Sequence, residues 1–224
     1  MIVSFYQISA TLNANQPYHY RCMMSNRAHQ PLISEQEYLE GELHSDIKHE
    51  YIDGVIYAMS GASAAHNRIA GNIYGEFRNH LKGKPCQPYS ADMKVKIGSK
   101  YFYPDVLVDC TDLADDQYFT DNPTIIVEVL SKSTKQIDKT VKFNTYIQIP
   151  SLQEYLLVEQ DTAEVEVLRR RTNWKAEHYF MGDEIKLDSI DLTIKVADIY
   201  DRVKNTDVLE WLEKQAKQTT IEQK

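Results

Sequence analysis

One segment constrains this chain more than any other. Thr124 to Leu130 is a run of β-branched and aliphatic residues broken only by Glu128. A run this apolar reads as a strand covered on both faces, as in a sheet with a layer on either side. Its single carboxylate is therefore expected inside the protein. A buried, unpaired carboxylate costs several kcal/mol or stays protonated, so one that persists is paired or bound to a cation.

The rest of the chain supplies the layers. Ser34-Glu35-Gln36-Glu37 is a capping box that starts a helix running to about Glu42. His49–Met59 is rich in Tyr, Ile and Val around Asp53-Gly54, a hairpin signal, with Glu50 just before the turn. Ala62 to Leu81 is predicted helical, because Ile69, Ile73, Phe77 and Leu81 recur every fourth residue; Gly83 suits its end. Asp92–Ile97 alternates as a half-buried strand, and Tyr103–Cys110 forms another. After an acidic loop, Thr111–Asn122, comes the Glu128 strand. A helix over Asp138–Ile149 is stopped by Pro150, and Glu154–Glu159 is the next strand. Ala163–Arg169, Trp174–Phe180 and Glu184–Leu187 read as one antiparallel meander; Ala197–Val203 is helical, and a polar helix begins at Asp207.

From Ala62 to Glu159 the order is α-β-β-β-α-β. The predicted fold is α/β (α+β): a mixed sheet with flanking helices and an antiparallel β extension. Residues 25–204 form one domain, residues 205–224 a polar helix or tail. Residues 1–24 lack the basic start and continuous apolar core of a signal peptide and read as an extension without fixed structure.

Composition excludes several classes. A net charge of −8 argues against a surface coated in basic charge for non-specific nucleic-acid binding, though clustered acids that hold metal would themselves add to it. Cys22, Cys86 and Cys110 are odd in number and contain no CxxC pair. They are expected to be small buried hydrophobes in a reducing cytoplasm, not disulfides or a zinc site. No apolar run approaches the length of a membrane span. A Gly-rich phosphate cradle, GxSxG and HExxH are all absent, and no organic cofactor is expected.

Glu50, Asp105 and Glu128 stand where burial is expensive. If the Asp105 and Glu128 strands are neighbours, these acids meet at one end of the sheet. Convergent carboxylates are hard oxygen ligands suited to Mg²⁺, with Mn²⁺ as a substitute. Such a site activates water and stabilises charge on a phosphoryl group. Lys132, Lys135 and Lys139 beside Glu128, and Lys94 with Lys96 and Lys100 near Asp105, are candidate contacts to a DNA backbone. Arg169-Arg170-Arg171 is a second basic knot, read equally as a solvated hairpin end. His66 is a weaker candidate for a general base.

Glu50-Tyr51-Ile52-Asp53-Gly54, Tyr103-Pro104-Asp105-Val106, the stretch Val127–Thr134, the trio Asp138, Lys142 and Tyr146, and Gln153–Val158 together resemble the Uma-two family of restriction endonuclease-like proteins. The resemblance runs from about Ser34 to Ile199. It implies the PD-(D/E)xK nuclease fold, with Pro104-Asp105 as the PD element and Glu128 as the second acid. The fold's usual lysine lies two residues after that acid, where this chain has Leu130. Lys142 is the expected substitute and Lys94 the runner-up. The expectation is a Mg²⁺-dependent deoxyribonuclease in the cytoplasm, acting on DNA, with a homodimer left open. The alternative is an inactive nuclease-fold module that binds nucleic acid or protein.

Overall fold

In the computed structural model, residues 32–222 are described, so the reading of residues 1–24 falls outside them. Helix α1 (Glu35–Glu42) begins at the predicted capping box: Ser34 Oγ accepts from the Glu37 amide, and the Glu37 carboxylate accepts from the Ser34 amide. Strands β1 (His49–Ile52) and β2 (Val55–Ala58) form the expected hairpin. Asp53 and Gly54 carry φ of 50° and 94° in its two-residue turn, a conformation that favours Asp-Gly. Helix α2 (Ala64–Leu81) is capped by Ser63 and buries the predicted stripe of Ile69, Ile73, Phe77 and Leu81.

Then follow β3 (Gln87–Ser90), β4 (Lys94–Ile97), β5 (Lys100–Phe102), β6 (Val106–Asp109), β7 (Phe119–Thr120) and β8 (Pro123–Leu130). Helix α3 (Lys135–Ile137) runs through a π-helical turn, Asp138–Lys142, into α4 (Phe143–Tyr146). Next come β9 (Glu154–Glu159), β10 (Glu164–Arg169), β11 (Ala176–Phe180), β12 (Glu184–Leu187), β13 (Leu192–Lys195), α5 (Val196–Ile199) and α6 (Thr206–Glu222).

A six-stranded sheet runs β11-β10-β9-β8-β6-β3, a five-stranded sheet β2-β1-β5-β4-β7, and β12 pairs with β13 alone. Within the six-stranded sheet β8 and β9 are parallel and the other pairings antiparallel. Strand β8 explains its own composition. Val127 and Val129 pack with Ile69, Ile73 and Phe77 of α2. Ile126 and Leu130 pack on the other face with Val95 and Phe102 of the five-stranded sheet and Tyr146 of α4. Each face carries a layer, and Glu128 is the one charged residue of β8.

Three features depart from the sequence reading. Glu184–Leu187 leaves the meander and pairs with Leu192–Lys195, because a 3₁₀ turn at Asp188–Ile190, closed by Asp191 at φ 51°, folds the chain back on itself. Strand β3 had no sequence prediction; it contains Pro88, tolerated because the strand lies at the sheet edge. The third departure follows from the second. Cys86 and Cys110 form a disulfide, S–S 2.07 Å, one step beyond the Gln87–Asp109 pair of the β3–β6 ladder. The expectation of free thiols is corrected for Cys86 and Cys110, while Cys22 lies outside the described residues: without β3, nothing in the sequence brought the two bonded residues face to face.

That bond closes a loop over a sequence separation of 24 and is expected to contribute about 3 kcal/mol through the entropy of the unfolded chain. Cys86→Ser should lower the urea midpoint accordingly and leave one thiol newly reactive to a maleimide. An unchanged midpoint under oxidising conditions would show that the bond contributes nothing.

Candidate active site

The acids arrive from four elements. Glu50 is on β1, Asp105 precedes β6, Glu128 is near the end of β8, and Asp138 opens the π-helical turn. In the β6–β8 ladder Val106 faces Val127, so Asp105 and Glu128, each one residue beyond that pair, lie at the same end of the sheet.

Lys142 occupies the middle. Its Nζ lies 2.9 Å from Glu50 Oε1 and 3.2 Å from both Glu128 Oε1 and Asp138 Oδ1. Glu128, Asp138 and Lys142 are 3%, 2% and 5% exposed, so these are desolvated charges. Asp138 and Lys142 are four residues apart on one helical turn, which aims both inward. The wider turn of a π-helix recurs at functional sites, and this one carries both groups.

The remaining partners fix the carboxylates. Tyr146 Oη donates to Glu128 Oε1 at 3.1 Å, and the Tyr103 amide donates to Glu50 Oε1 at 3.4 Å. The Val129 amide donates to Asp105 Oδ2 at 2.7 Å, and His66 Nε2 faces the same oxygen at 3.3 Å. Tyr155 Oη donates to the Asp138 carbonyl, tying the π-turn to β9.

Burial pushes the Glu128 carboxyl well above the usual carboxylate range, against the pull of the Lys142 ammonium. For Lys142 burial works downward, but Glu128, Glu50 and Asp138 outweigh it and raise the ammonium well above its ordinary value. His66 is drawn down by burial and, more strongly in sum, up by Asp105 and the Val129 backbone, for a net rise. Glu50, Glu128 and Asp138 share one ammonium, and Asp105 faces His66, so acids outnumber bases. The site holds a surplus of negative charge.

The sequence of residues 35–197 matches the profile of the Uma2 family, described as "Putative restriction endonuclease". The chain belongs to the Uma2 family. The uncharacterized protein slr1290 of Synechocystis sp. is 39% identical over 176 residues, covering 76% of this chain and 92% of that protein. A second Synechocystis protein, sll1609, is 38% identical over 144 residues, covering 60% of this chain and 79% of its own. The fold is similar to the crystal structure of "a putative nuclease belonging to DUF820" from Anabaena variabilis. The TM-score is 0.65 at 18% identity, over 77% of this chain and 99% of that one. The architecture of this Uma2 chain is accordingly restriction endonuclease-like.

Of the residues predicted to act here, Glu50, Glu128 and Lys142 are brought together, and Asp105 joins through Val129 and His66. The predicted backbone contacts fare differently. Lys94 is buried, with Nζ donating to the Tyr118 carbonyl at 3.4 Å and lying 5.0 Å from the Tyr103 ring centre. Burial lowers its pKa. Lys135 pairs with Glu159 at 2.7 Å, and Lys139 with Glu166 at 2.7 Å. Lys132 stands open, its side chain 89% exposed and 3.7 Å from Asp161. Of the triple-arginine knot, Arg169 is buried against Glu154 and Glu177, Arg170 binds backbone carbonyls, and Arg171 pairs with Asp188.

Asp138 is the site residue that sequence reasoning missed. Its signal was the i, i+4 spacing to Lys142, which puts both side chains on one face. Among the described residues no three His, Cys, Asp or Glu side chains form a ready-made metal shell, and the ammonium of Lys142 is what organises the acids. Among the described residues no helix is long and apolar enough to cross a membrane.

Proposed function

We propose that this chain is a divalent-cation-dependent endonuclease that hydrolyses a DNA phosphodiester. The observation that carries the reading is the surplus of acids: Glu50, Glu128 and Asp138 contact the single ammonium of Lys142, and Asp105 stands nearby against His66. The donor set fits Mg²⁺ or Mn²⁺, since hard carboxylate oxygens with uncompensated charge favour a small hard dication. Glu50, Asp105 and Glu128 would hold it. When bound, such an ion supplies Lewis acidity toward a phosphoryl oxygen and lowers the pKa of water.

The chain's own residues do the positioning. The Val129 amide and His66 fix the Asp105 oxygen, and Tyr146 fixes Glu128. Asp138 holds Lys142 in place from its own helix. Lys142 keeps the acids from repelling one another apart. It also stands as preorganised positive charge against the charge that develops on the reacting phosphate. This is the role of the lysine that the fold usually places two residues after its second acid, supplied here from another element.

The other reading, a binding module without catalysis, is favoured by Leu130 in that usual position. One preparation separates the two. Incubated with supercoiled plasmid and millimolar Mg²⁺ or Mn²⁺, the purified protein should produce nicked circles, and EDTA should stop it. Calorimetry should register Mn²⁺ binding. DNA binding without nicking and without heat from Mn²⁺ would leave the binding module standing.

A further inference from the structure

The hairpin that carries Glu50 carries something else at the same height. Glu50 is paired with Tyr57 in the β1–β2 register. Opposed side chains in an antiparallel pair share a face, with Cβ atoms about 5 Å apart. That face is the inner one: Ile52, two residues from Glu50, packs into the core between the sheets, while Tyr51 on the reverse packs against Tyr38 and Tyr101. Strand β2 is the edge of its sheet, so no further strand covers Tyr57. Tyr57 is 51% exposed, although large aromatic residues are normally buried. An aromatic surface thus stands open beside a carboxylate of the site.

A second aromatic lining lies beside the segment that bonds the Asp105 backbone. The Ala91 amide donates to the Asp105 carbonyl at 3.1 Å. Its neighbours Ser90 and Asp92 belong to a hollow of about 270 Å³ lined by Tyr74, Tyr89 and Tyr118. The cationic groups around the site are, by contrast, mostly engaged: Lys135 and Lys139 in ion pairs, Lys94 buried. Grip on a nucleic acid through phosphates alone is correspondingly reduced. Stacking on aromatic rings is the other general source of affinity, and it is indifferent to base sequence.

We propose that Tyr57 is a stacking platform for an unpaired base next to the phosphodiester to be cut, so that the preferred substrate is a single-stranded or locally opened nucleic acid. In an intact duplex each base is covered on both faces by its neighbours, and a protein ring can stack only on one released from that column. The inference rests on the nuclease reading above and specifies its substrate.

The test uses the full chain, Mg²⁺ and two oligonucleotide substrates of one sequence, single-stranded and fully paired. The wild type should cleave the single strand with the lower KM. Tyr57→Ala should raise that KM on the order of tenfold, the size of one lost base–aromatic stack. Because the change lies in binding, kcat at saturation should hold, and the duplex KM should not move. Tyr57→Phe should behave as wild type. Tyr57→Thr, which lacks the ring but keeps strand propensity, should repeat the alanine result; a wild-type KM in the threonine variant would show that alanine acted through the hairpin and would overturn the inference. A wild type that prefers the duplex, or an unchanged single-strand KM in both Tyr57→Ala and Tyr57→Thr, overturns this inference and leaves the nuclease reading in place. A wild type that cleaves neither substrate overturns both.

Discussion

Asp105→Asn is expected to lower plasmid nicking about a thousandfold, the scale set by losing one preorganised electrostatic group at a reacting phosphate. The amide is chosen because it keeps the geometry. Asp105 Oδ2 accepts from the Val129 amide at 2.7 Å, and an asparagine oxygen can accept the same bond. The β6–β8 junction should therefore persist, and with it the melting temperature. What disappears is one negative charge from the group that would hold the cation, together with the charged partner of His66. Mn²⁺ affinity measured by calorimetry should fall in parallel with the rate. A variant that nicks plasmid as fast as the wild type would remove this carboxylate cluster as the seat of the chemistry.

Lys142→Met is expected to act on stability as strongly as Asp105→Asn acts on rate. The ammonium touches Glu50, Glu128 and Asp138 and is itself buried. Methionine fills similar volume but leaves three carboxylates confronting one another out of water. Removing one side of a buried ion pair costs about 3–5 kcal/mol, and here the remaining charges also repel. In a domain of this size that is a fall in melting temperature on the order of 10 °C.

Two further readouts separate this cause from simple loss of packing. The Glu128 carboxyl already sits well above its usual range in the folded protein, from burial. Without Lys142 it loses the group that pulls it down. A carboxyl whose folded pKa is raised favours the native state at low pH, and that contribution fades as pH rises through the folded value. The variant should thus be less impaired near pH 5 than near pH 8. Millimolar Mg²⁺ should also restore part of its melting temperature by supplying positive charge to the same acids. A loss that is constant with pH and blind to Mg²⁺ would show that the acids do not depend on Lys142 for charge balance.

How far the sequence led depended on range. Periodicity placed α2 and its four buried residues, and the local capping and turn chemistry of Ser34 and Asp53-Gly54 placed α1 and the first hairpin. The apolar run containing Glu128 announced a strand with a layer on each face, and that is what β8 is. Features that depend on an unrecognised partner were not legible. Strand β3 hid behind Pro88, and with it the Cys86–Cys110 bond. Strand β12 resembled a third meander strand because alternation says that a residue faces a core, not which strand it joins. At the site, Glu128 and Glu50 stood out as acids in apolar surroundings. Asp138 did not, because a charged residue near a helix start is ordinary until its neighbour four residues on proves to be buried. The lysines were legible only as charges. Whether each meets solvent or a carboxylate is decided by β9 and β10, which supply Glu159 and Glu166 from far along the chain.

The central place of β8 has a consequence during synthesis. Glu50 leaves the ribosome early, and Lys142 emerges only after both the hairpin and the middle strands are made. Until α4 docks, the acids have no common counter-charge, and β8 lacks its parallel neighbour β9. A nascent or truncated chain ending before that point therefore carries the carboxylates without the means to assemble them. Long-range closure of this kind is slow relative to local helix formation. Any nucleolytic capacity would thus be acquired late, once for the whole domain, and no proteolytic fragment lacking the segment after β8 would inherit it.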